Sequence, residues 1–390
     1  MILSIGQPIW FDEGYSVYVA RQPIGELLAL TAVDAHPPLY YVLLKLWAGL
    51  FGWGEFALRS LSGVAVALTV GAVFMTVRRL FSVRIALGVL PFLILAPFFL
   101  RYGYEVRMYA VAGLIGALAT MTLVYALKAK RATLWVIYAA LVALGMYTLY
   151  MMAALWFAHA IWLLVRSIRR KENFRRWKWF FAYILSVILF LPYITTFIHQ
   201  LVNSALPGIG QQVTLTRVVD MGTMLSVYTP EWKIGGWVSL VLATLSITVV
   251  WLLIRLWRVS NRDDRKRLVF LASLALVPVI FYAVTSLPPR DPIFVNRYLA
   301  HTVIWIYLLV GIVIALSWKY QKKMKVPTSL LAGITITVLM ISGTGVLKLQ
   351  QTGNLVFERM QKPRTIELRN DITCDSSTTI VAADPYTYLD

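Results

Sequence analysis

About ten runs of apolar residues, each about 20 residues long, divide this 390-residue chain, and they constrain its fold more than any other feature. A helix of a soluble protein needs polar positions at helical period on its exposed face, and these runs lack them. The pattern predicts an all-α polytopic membrane protein and excludes a single large soluble domain. The predicted spans are residues 55–80, 85–100, 108–127, 133–150, 152–168, 177–200, 236–257, 268–287, 299–318 and 328–347.

Basic residues are concentrated in alternate loops between the predicted spans. The net charge of the chain is +19, but one set of loops carries 23 of the 37 basic residues and only three acids, Glu172, Asp263 and Asp264. The other loops and the two ends carry 14 basic and 15 acidic residues. By the positive-inside rule, the basic loops are predicted to be cytoplasmic and the remaining connections extracytoplasmic. The charge therefore indicates topology in a lipid bilayer, and no nucleic-acid partner is expected.

Three regions follow from this topology. Residues 1–54 are predicted to form an extracytoplasmic segment, residues 55–347 the transmembrane helical domain, and residues 348–390 the start of an extracytoplasmic C-terminal region. The extracytoplasmic loop 201–235 is long for a connection, and it is interpreted either as a structured cover or as a passive surface loop. We expect the chain to be incomplete at both ends, with a further membrane span before it and an exported domain after it.

Polar residues typical of a reactive site lie in the predicted extracytoplasmic segments. The first segment carries the adjacent acids Asp12 and Glu13 within WFDEGYS, and then Asp34 and His36 within DAHPPLYY. The apolar stretch 39–51 that follows is too short to cross a membrane and predicts a helix lying in the interface. Such a helix would hold Asp34 and His36 at the membrane surface, whereas the alternative is an ordinary polar turn before a buried helix.

Two later connections carry further charged side chains. Glu105 and Arg107 lie within RYGYEVRMY, which is either part of the same site or a solvated turn in the aromatic belt. Arg297 lies beside Tyr298 within PPRDPIFVNRYLAH, where it either binds an anion in a polar cavity or reaches to the interface. The interiors of the predicted spans are nearly free of charge, and His159 is interpreted as a hydrogen-bonded packing residue.

The combination of carboxylates and arginines at an outer membrane surface suits one kind of reaction. A carboxylate can accept the proton of an acceptor hydroxyl, and arginine matches the geometry of a departing phosphate. The sequence has no Gly-rich phosphate loop of the GxxxxGKS kind, so an activated donor would have to arrive through the membrane. A polyprenyl-phosphate sugar meets that requirement, because its lipid tail lies between helices and its phosphate is the leaving group.

Several of these segments together resemble one known family. The run WFDEGYSVYVARQPIGELLALTAVDAHPPLYYVLLKLWAGLFG, followed by ALRSLSGV and YEVRMYA, is similar to the bacterial branch of the protein O-mannosyltransferase superfamily, glycosyltransferase family 39. Relatives in that superfamily include the aminoarabinose transferase that modifies lipid A, and its members share the GT-C membrane fold. The resemblance is dense from Trp10 to about Ala110 and extends thinly to RYL at 297–299.

The resemblance implies roles for individual residues. Asp12 and Glu13 match the Asp-Glu motif of the first outside loop, in which the Asp is considered the catalytic base or acceptor-site carboxylate. His36 matches the basic position of the family's HPP or KPP motif, which lies near the donor phosphate. The remaining matches, with less settled roles, are Glu105, Arg107 and Tyr109 in the ExRMY turn and Arg297 and Tyr298 in the late Arg-Tyr pair.

The sequence therefore leads to one principal hypothesis, the inverting transfer of a sugar, mannose or a related hexose or pentose, from a polyprenyl-phosphate donor to an extracytoplasmic protein, lipid or glycan. Asp12 and Glu13 are assigned as the catalytic pair, with Asp12 as the base and Glu13 ordering the site. His36, Arg107 and Arg297 would bind the donor phosphate, while Asp34, Glu105, Tyr109 and Tyr298 would order the site.

Two questions stay open at this stage. Some relatives bind a divalent metal, and Asp34 and His36 would be candidate ligands, but two such residues do not make a metal signature. A lipid or polysaccharide transporter would share the many spans, although the apolar span interiors argue against it. A catalytically inactive membrane scaffold is the other alternative.

Overall fold

The computed structural model describes residues 9, 11–129, 131–171, 177–202, 214–228, 236–287 and 296–352 of the chain. Throughout these residues the regular structure is helical, with sixteen α-helices joined by short turns and 3₁₀ segments. Most of the predicted C-terminal region, 348–390, lies outside the described residues.

Three short helices precede the first membrane-spanning helix: α1 Phe11–Arg21, α2 Ile24–Val33 and α3 Leu39–Phe51. Pro38 directly precedes α3, where the missing N–H of proline costs nothing. Lys45 on α3 donates from Nζ to the backbone carbonyl of Gln22, at 2.9 Å, just after the last turn of α1. This contact joins α1 to α3, because carbonyls at a helix C-terminus lack partners within the helix. The predicted helix over 39–51 is confirmed, and its place in the membrane interface stays a prediction.

The longer part of the chain forms the remaining helices. Their bounds are α4 Glu55–Leu80, α5 Val83–Ile94, α6 Pro97–Arg101, α7 Tyr109–Ala126, α8 Thr133–Thr148, α9 Ala153–Arg169, α10 Lys178–Phe190, α11 Ile194–Val202, α12 Leu215–Val227, α13 Gly236–Val259, α14 Arg262–Thr285, α15 Ala300–Met324 and α16 Thr328–Thr352.

The prediction of about ten spans is close to what the helices show. Within the described residues, eight helical segments are long and apolar enough to cross a membrane, and a bent pair, Val83–Ile94 with Pro97–Tyr104, makes up to nine. The remaining predicted span, 133–150, corresponds to α8, which at 16 residues is shorter than a typical spanning helix of about 20. The fold is thus an all-α polytopic bundle, as predicted.

The bend between α5 and α6 has a local cause. Pro97 has no N–H to continue the helical hydrogen bonds, and the preceding Ala96 has φ −96° and ψ 86°, outside the helical region. The two segments therefore meet at an angle of 61°. The second segment leads directly into the turn that carries Glu105 and Arg107.

Close helix packing in the centre of the bundle depends on small residues. An added side chain at Gly145 of α8 would place its Cβ 2.5 Å from Cζ2 of Trp156, so no larger residue fits there without rearrangement. Nearby, Nδ1 of His159 lies 3.1 Å from the Tyr138 hydroxyl, and its Nε2 lies 3.1 Å from Oγ1 of Thr120. This confirms the interpretation of His159 as a hydrogen-bonded packing residue.

A buried carboxylate joins α14 to α15 where α14 begins. Asp264 is fully buried, and its two oxygens accept from Arg267 at 2.8 Å and from Lys319 at 2.6 Å. The hydroxyl of Tyr320 also donates to Asp264, at 2.8 Å. Two of the three acids in the predicted basic loops, Asp263 and Asp264, therefore belong to this end of the bundle, and one of them holds helices together.

Candidate active site

Two predicted site residues from distant parts of the sequence, Asp12 and Arg297, meet in space. Nη1 of Arg297 donates to Oδ2 of Asp12 at 2.9 Å, although 285 positions separate them. Arg297 lies in a 3₁₀ segment, Asn296–Leu299, that leads into α15, and Asp12 lies in the first turn of α1. The side chains of Arg297 and Asp12 are 30% and 20% exposed, so the pair is accessible to a substrate.

Arg107 lies beside this pair and is buried. Its Nη1 donates to the backbone carbonyl of Asp12 at 3.2 Å and to Oγ of Ser16 at 3.3 Å. Its Nη2 lies 3.4 Å from Nε2 of His36. Within the described residues, Nε of Arg107 and Nε of Arg297 have no hydrogen-bond partner. Two guanidinium groups thus retain donors next to one carboxylate.

Asp34 and His36 form a second pair, in the loop between α2 and α3. Nδ1 of His36 lies 3.1 Å from Oδ2 of Asp34. Burial lowers the pKa of His36, and the positive charges of Arg107 and Arg297 lower it further. Burial raises the pKa of the Asp34 carboxyl, but the hydrogen bonds from His36 and the backbone of Ala35, together with the nearby positive charge, outweigh it, and the net direction is downward. His36 is therefore neutral near pH 7, with Nδ1–H donating to Asp34 and Nε2 accepting from Arg107.

Glu13 points away from Asp12 and into the protein. Its side chain is 2% exposed, and Oε2 accepts from Nη2 of Arg59 at 2.7 Å while Oε1 accepts from Nε of Arg59 at 3.1 Å. The backbone N–H of Val106 also donates to Oε1, at 2.9 Å. Glu13 thus joins α1 to α4 and to the turn that carries Glu105 and Arg107, and its predicted place in the catalytic pair stays a prediction.

Glu105 lies in that turn with its carbonyl accepting from Oγ of Ser62 at 2.6 Å. Its carboxyl is buried, and within the described residues Oε2 has no hydrogen-bond partner. Burial raises the pKa of this carboxyl above its ordinary value, although the nearby charge of Arg101 opposes the rise. The hydroxyls of Tyr41 and Tyr109 are also buried and unpartnered among the described residues, and both rings lie near Arg107.

Sequence reasoning did not find several residues that support this site. Arg59 is a buried arginine inside an apolar span, and that property is itself a signal, since an ionisable residue in a membrane helix usually has a specific partner. Gln200 on α11 donates from Nε2 to the carbonyl of Thr31 at 2.8 Å and of Ala32 at 3.1 Å, and it accepts from the hydroxyl of Tyr150. This buried amide fixes the end of α2 that leads to Asp34. No sequence pattern distinguishes Gln200.

The predicted site residues fall into two groups. A continuous series of hydrogen-bond contacts, in which Arg107 contacts the backbone carbonyl of Asp12, links the first group: Asp12, Arg297, Arg107, His36 and Asp34. Glu13, Glu105, Tyr109 and Tyr298 surround them; the Arg297 guanidinium lies 5.8 Å from the centre of the Tyr298 ring. The described residues contain no group of three or more His, Cys, Asp or Glu that could hold a metal ion. The two candidate ligands, Asp34 and His36, fall short of such a group.

Comparison with known proteins tests the resemblance. The sequence model of one family, described as dolichyl-phosphate-mannose-protein mannosyltransferase, matches residues 35–195, a range that contains His36, Glu105 and Arg107. The crystal structure of ArnT from Cupriavidus metallidurans in the apo state aligns with a TM-score of 0.55 and 13% identity, covering 90% of this chain and 73% of ArnT. No curated protein matches the sequence at the threshold applied.

The chain shares the fold of ArnT, and its residues 35–195 match the mannosyltransferase family model. A second crystal structure, of ArnT from Cupriavidus metallidurans bound to undecaprenyl phosphate, aligns equally well, with a TM-score of 0.55, 13% identity and coverage of 90% of this chain and 70% of ArnT. The predicted all-α membrane fold of the GT-C type is thereby confirmed. The donor, the acceptor and the roles of the protein's residues are the subject of the proposal that follows.

Proposed function

We propose that this GT-C protein transfers a sugar from a polyprenyl-phosphate donor to a hydroxyl of an extracytoplasmic protein, lipid or glycan, at the site around Asp12. The observation that carries the proposal is the contact of Asp12 with Arg297, beside Arg107. A transfer from a phosphate leaving group needs a base for the acceptor proton and cationic donors for the phosphate, and one carboxylate with two arginines supplies both. The ArnT structure with undecaprenyl phosphate supports the donor class, because its fold is similar.

In the proposed reaction, the acceptor hydroxyl oxygen attacks the anomeric carbon as the bond from that carbon to the phosphate oxygen breaks. The hydroxyl proton passes to the Asp12 carboxylate, and the bonding electrons leave with the polyprenyl phosphate. Inversion at the anomeric carbon follows from a single displacement. Arg107 and Arg297 stabilise the charge that develops on the phosphate through their guanidinium groups.

Arg297 has a second part in this scheme. Before donor binds, it neutralises Asp12, and a guanidinium has five donors in a fixed fork. A donor phosphate that accepts hydrogen bonds from the other N–H groups of Arg297 weakens the ion pair between Arg297 and Asp12 without breaking it. Asp12 then accepts the proton only when the donor is in place, which limits wasteful activation of water.

Neutral His36 contributes to phosphate binding by orienting Arg107, and Asp34 in turn orients His36. The Tyr41 and Tyr109 hydroxyls are further donors beside Arg107 for the phosphate or the sugar. Whether the sugar is mannose, another hexose or a pentose depends on the residues around Asp12 that contact it. A panel of synthetic donors distinguishes these substrates.

We place the site on the extracytoplasmic face of the cell membrane. The charge asymmetry of the loops supports this orientation, since basic residues collect at the far end of α15 from Arg297.

A transfer assay tests the function directly. Purified protein in lipid vesicles is mixed with synthetic polyprenyl-phosphate sugars and a hydroxyl acceptor, and released polyprenyl phosphate is measured. Asp12→Asn should lower the rate at least about 100-fold, because general base catalysis contributes about 10²–10⁴. The matched control is Asp263→Asn, an exposed carboxylate in α14 whose loss should leave the rate unchanged. Full activity in D12N would remove Asp12 from the base role, and a wild-type protein that binds donor without turnover would indicate a scaffold.

A further inference from the structure

A groove of about 320 Å³ lies between α13, α14 and α15, far from the candidate active site. Its walls are apolar and include Leu253, Trp257, Val269, Ala272 and Leu309, with Arg258 as the one charged lining residue. Trp257 and Val269 are 43% and 46% exposed, so the groove opens to the outside of the bundle. In a membrane protein this exposed apolar wall faces lipid.

The contacts of α15 locate the groove along the bundle. Arg297 lies just before α15, whose ends Ala300 and Met324 are about 36 Å apart at 1.5 Å per residue. Arg255 of α13 donates to the carbonyl of Met324, and Asp264 of α14 accepts from Lys319. The end of α13 and the beginning of α14 are therefore at the opposite end of the bundle from Asp12. The groove begins there and extends inward to Leu309.

Positive charge is concentrated at the mouth of the groove. Arg265 donates from Nη2 to the carbonyl of Arg258 at 3.2 Å, and its guanidinium lies 5.7 Å from the centre of the Trp257 ring. The acids nearby have other partners, since Asp264 binds Arg267 and Lys319 and Asp263 lies 3.6 Å from Lys266. Among the residues that the structure describes, no carboxylate pairs with Arg258 or Arg265.

We propose that this groove binds an anionic phospholipid of the leaflet at the basic end of the bundle. One acyl chain lies along the apolar wall, and the headgroup phosphate accepts hydrogen bonds from Arg258 and Arg265. Trp257 has the amphipathic ring that is typical of the level between acyl chains and headgroups. A net negative headgroup is favoured over a zwitterionic one, because the two arginines carry charge that no neighbouring carboxylate neutralises. The lipid is structural and separate from the donor, which binds at the other end.

Native mass spectrometry of the whole chain tests this proposal. The protein is purified from micelles that contain equal amounts of phosphatidylglycerol and phosphatidylcholine, and retained lipids are counted. The wild type should retain phosphatidylglycerol in excess. Arg258→Gln and Arg265→Gln should each lower that excess about fivefold, because a basic residue at an anionic surface contributes about 1 kcal/mol. Ala272→Phe fills the groove and should lower retention of both lipids.

Two controls distinguish lipid bound in the groove from nonspecific attraction of anionic lipid to exposed basic residues. Arg84→Gln removes an exposed arginine from the start of α5, outside the groove, and should leave the lipid count unchanged. An equal loss in R84Q and R258Q, or equal retention of both lipids by the wild type, would overturn the proposal. If a variant does not fold, phosphatidylglycerol with a photoactivatable acyl chain should label the wild-type segments around Leu253 and Ala272. Labelling spread evenly over the exposed helices would equally contradict the site.

Discussion

Asp12 and Glu13 show how two adjacent side chains of the same chemistry acquire different surroundings. Consecutive positions on an α-helix are about 100° apart, so the two carboxylates of α1 cannot face the same way. Asp12 meets Arg297 at the accessible site, and Glu13 meets Arg59 in the interior. The sequence indicated both acids as candidates, but their different surroundings depend on where α1 packs.

His36 allows a prediction about pH. Its pKa is lowered in the folded protein, so neutral His36 contributes stability above about pH 6.5, its ordinary value, and that contribution is lost as the pH falls towards the lowered pKa. Protonation would also remove the acceptor that Nε2 offers to Arg107. We expect sugar transfer to show an acid limb below pH 6.5 in a pH–rate profile.

The matched variant for this profile is His36→Gln, whose amide oxygen can accept from Arg107 but does not titrate. In H36Q the acid limb should move to lower pH. A wild-type limb centred above pH 6.5, or a limb at the same pH in both proteins, is incompatible with a neutral His36 in this position.

At the scale of elements, the buried carboxylate of Glu13 joins three parts of the fold. These are α1, α4 and the turn between α6 and α7. Glu13 binds Arg59 and the N–H of Val106, so it sets the position of α1 against the turn that carries Arg107. The segment after the bend at Pro97 leads directly into that turn. Sequence patterns predicted α3 to the residue and α4 with the same bounds, because their apolar stretches are well delimited. The pairing of Glu13 with Arg59 was not predicted, since helix packing and not local sequence brings these residues together.

Removing one partner of this buried pair should destabilise the bundle. Glu13→Gln leaves the Arg59 charge buried without compensation, and we expect a loss of about 3–5 kcal/mol in unfolding free energy. The measurement is the midpoint temperature of thermal unfolding in detergent, monitored as the loss of monodisperse protein. Glu55→Gln is the control, because Glu55 also faces Arg59, at 3.9 Å, but is 51% exposed, and its loss should cost less than about 1 kcal/mol. Similar midpoints for E13Q and E55Q would show that Glu13 is not a structural link.

At the scale of the whole molecule, the charge pattern and the fold agree on two distinct ends. Arg297 and Asp12 lie at one end of α15, and Lys319 lies near the other with Asp264. Loop charge alone predicted this division, since each span moves the chain to the opposite side. The site itself could be predicted only as a set of candidates, because Asp12 and Arg297 come together through contacts among many helices. Gln200 and Tyr150, which hold the loop before Asp34, had no sequence signal.

Cysteine labelling in intact cells tests the orientation. In a Cys374→Ser background, an exposed cysteine replaces either Glu26, near the site, or Lys322, at the basic end. A membrane-impermeant maleimide should label E26C in intact cells and K322C only after the membrane is opened. The reverse pattern would place the site in the cytoplasm and exclude the proposed donor face.

In the proposed reaction Asp12 acts as the base and Arg297 binds the donor phosphate. The affinity of the protein for polyprenyl phosphate tests this assignment most directly. Binding is measured for the wild type, Asp12→Asn, Arg297→Gln and the exposed control Lys322→Gln. A hydrogen bond to a charged group contributes about 1.5–3 kcal/mol, so R297Q should bind about 10–100-fold more weakly. K322Q should bind polyprenyl phosphate as tightly as the wild type. D12N should bind it at least as tightly, because Arg297 no longer has the Asp12 carboxylate as a competing partner. Unchanged binding in R297Q, or an equal loss in D12N and R297Q, would contradict the account.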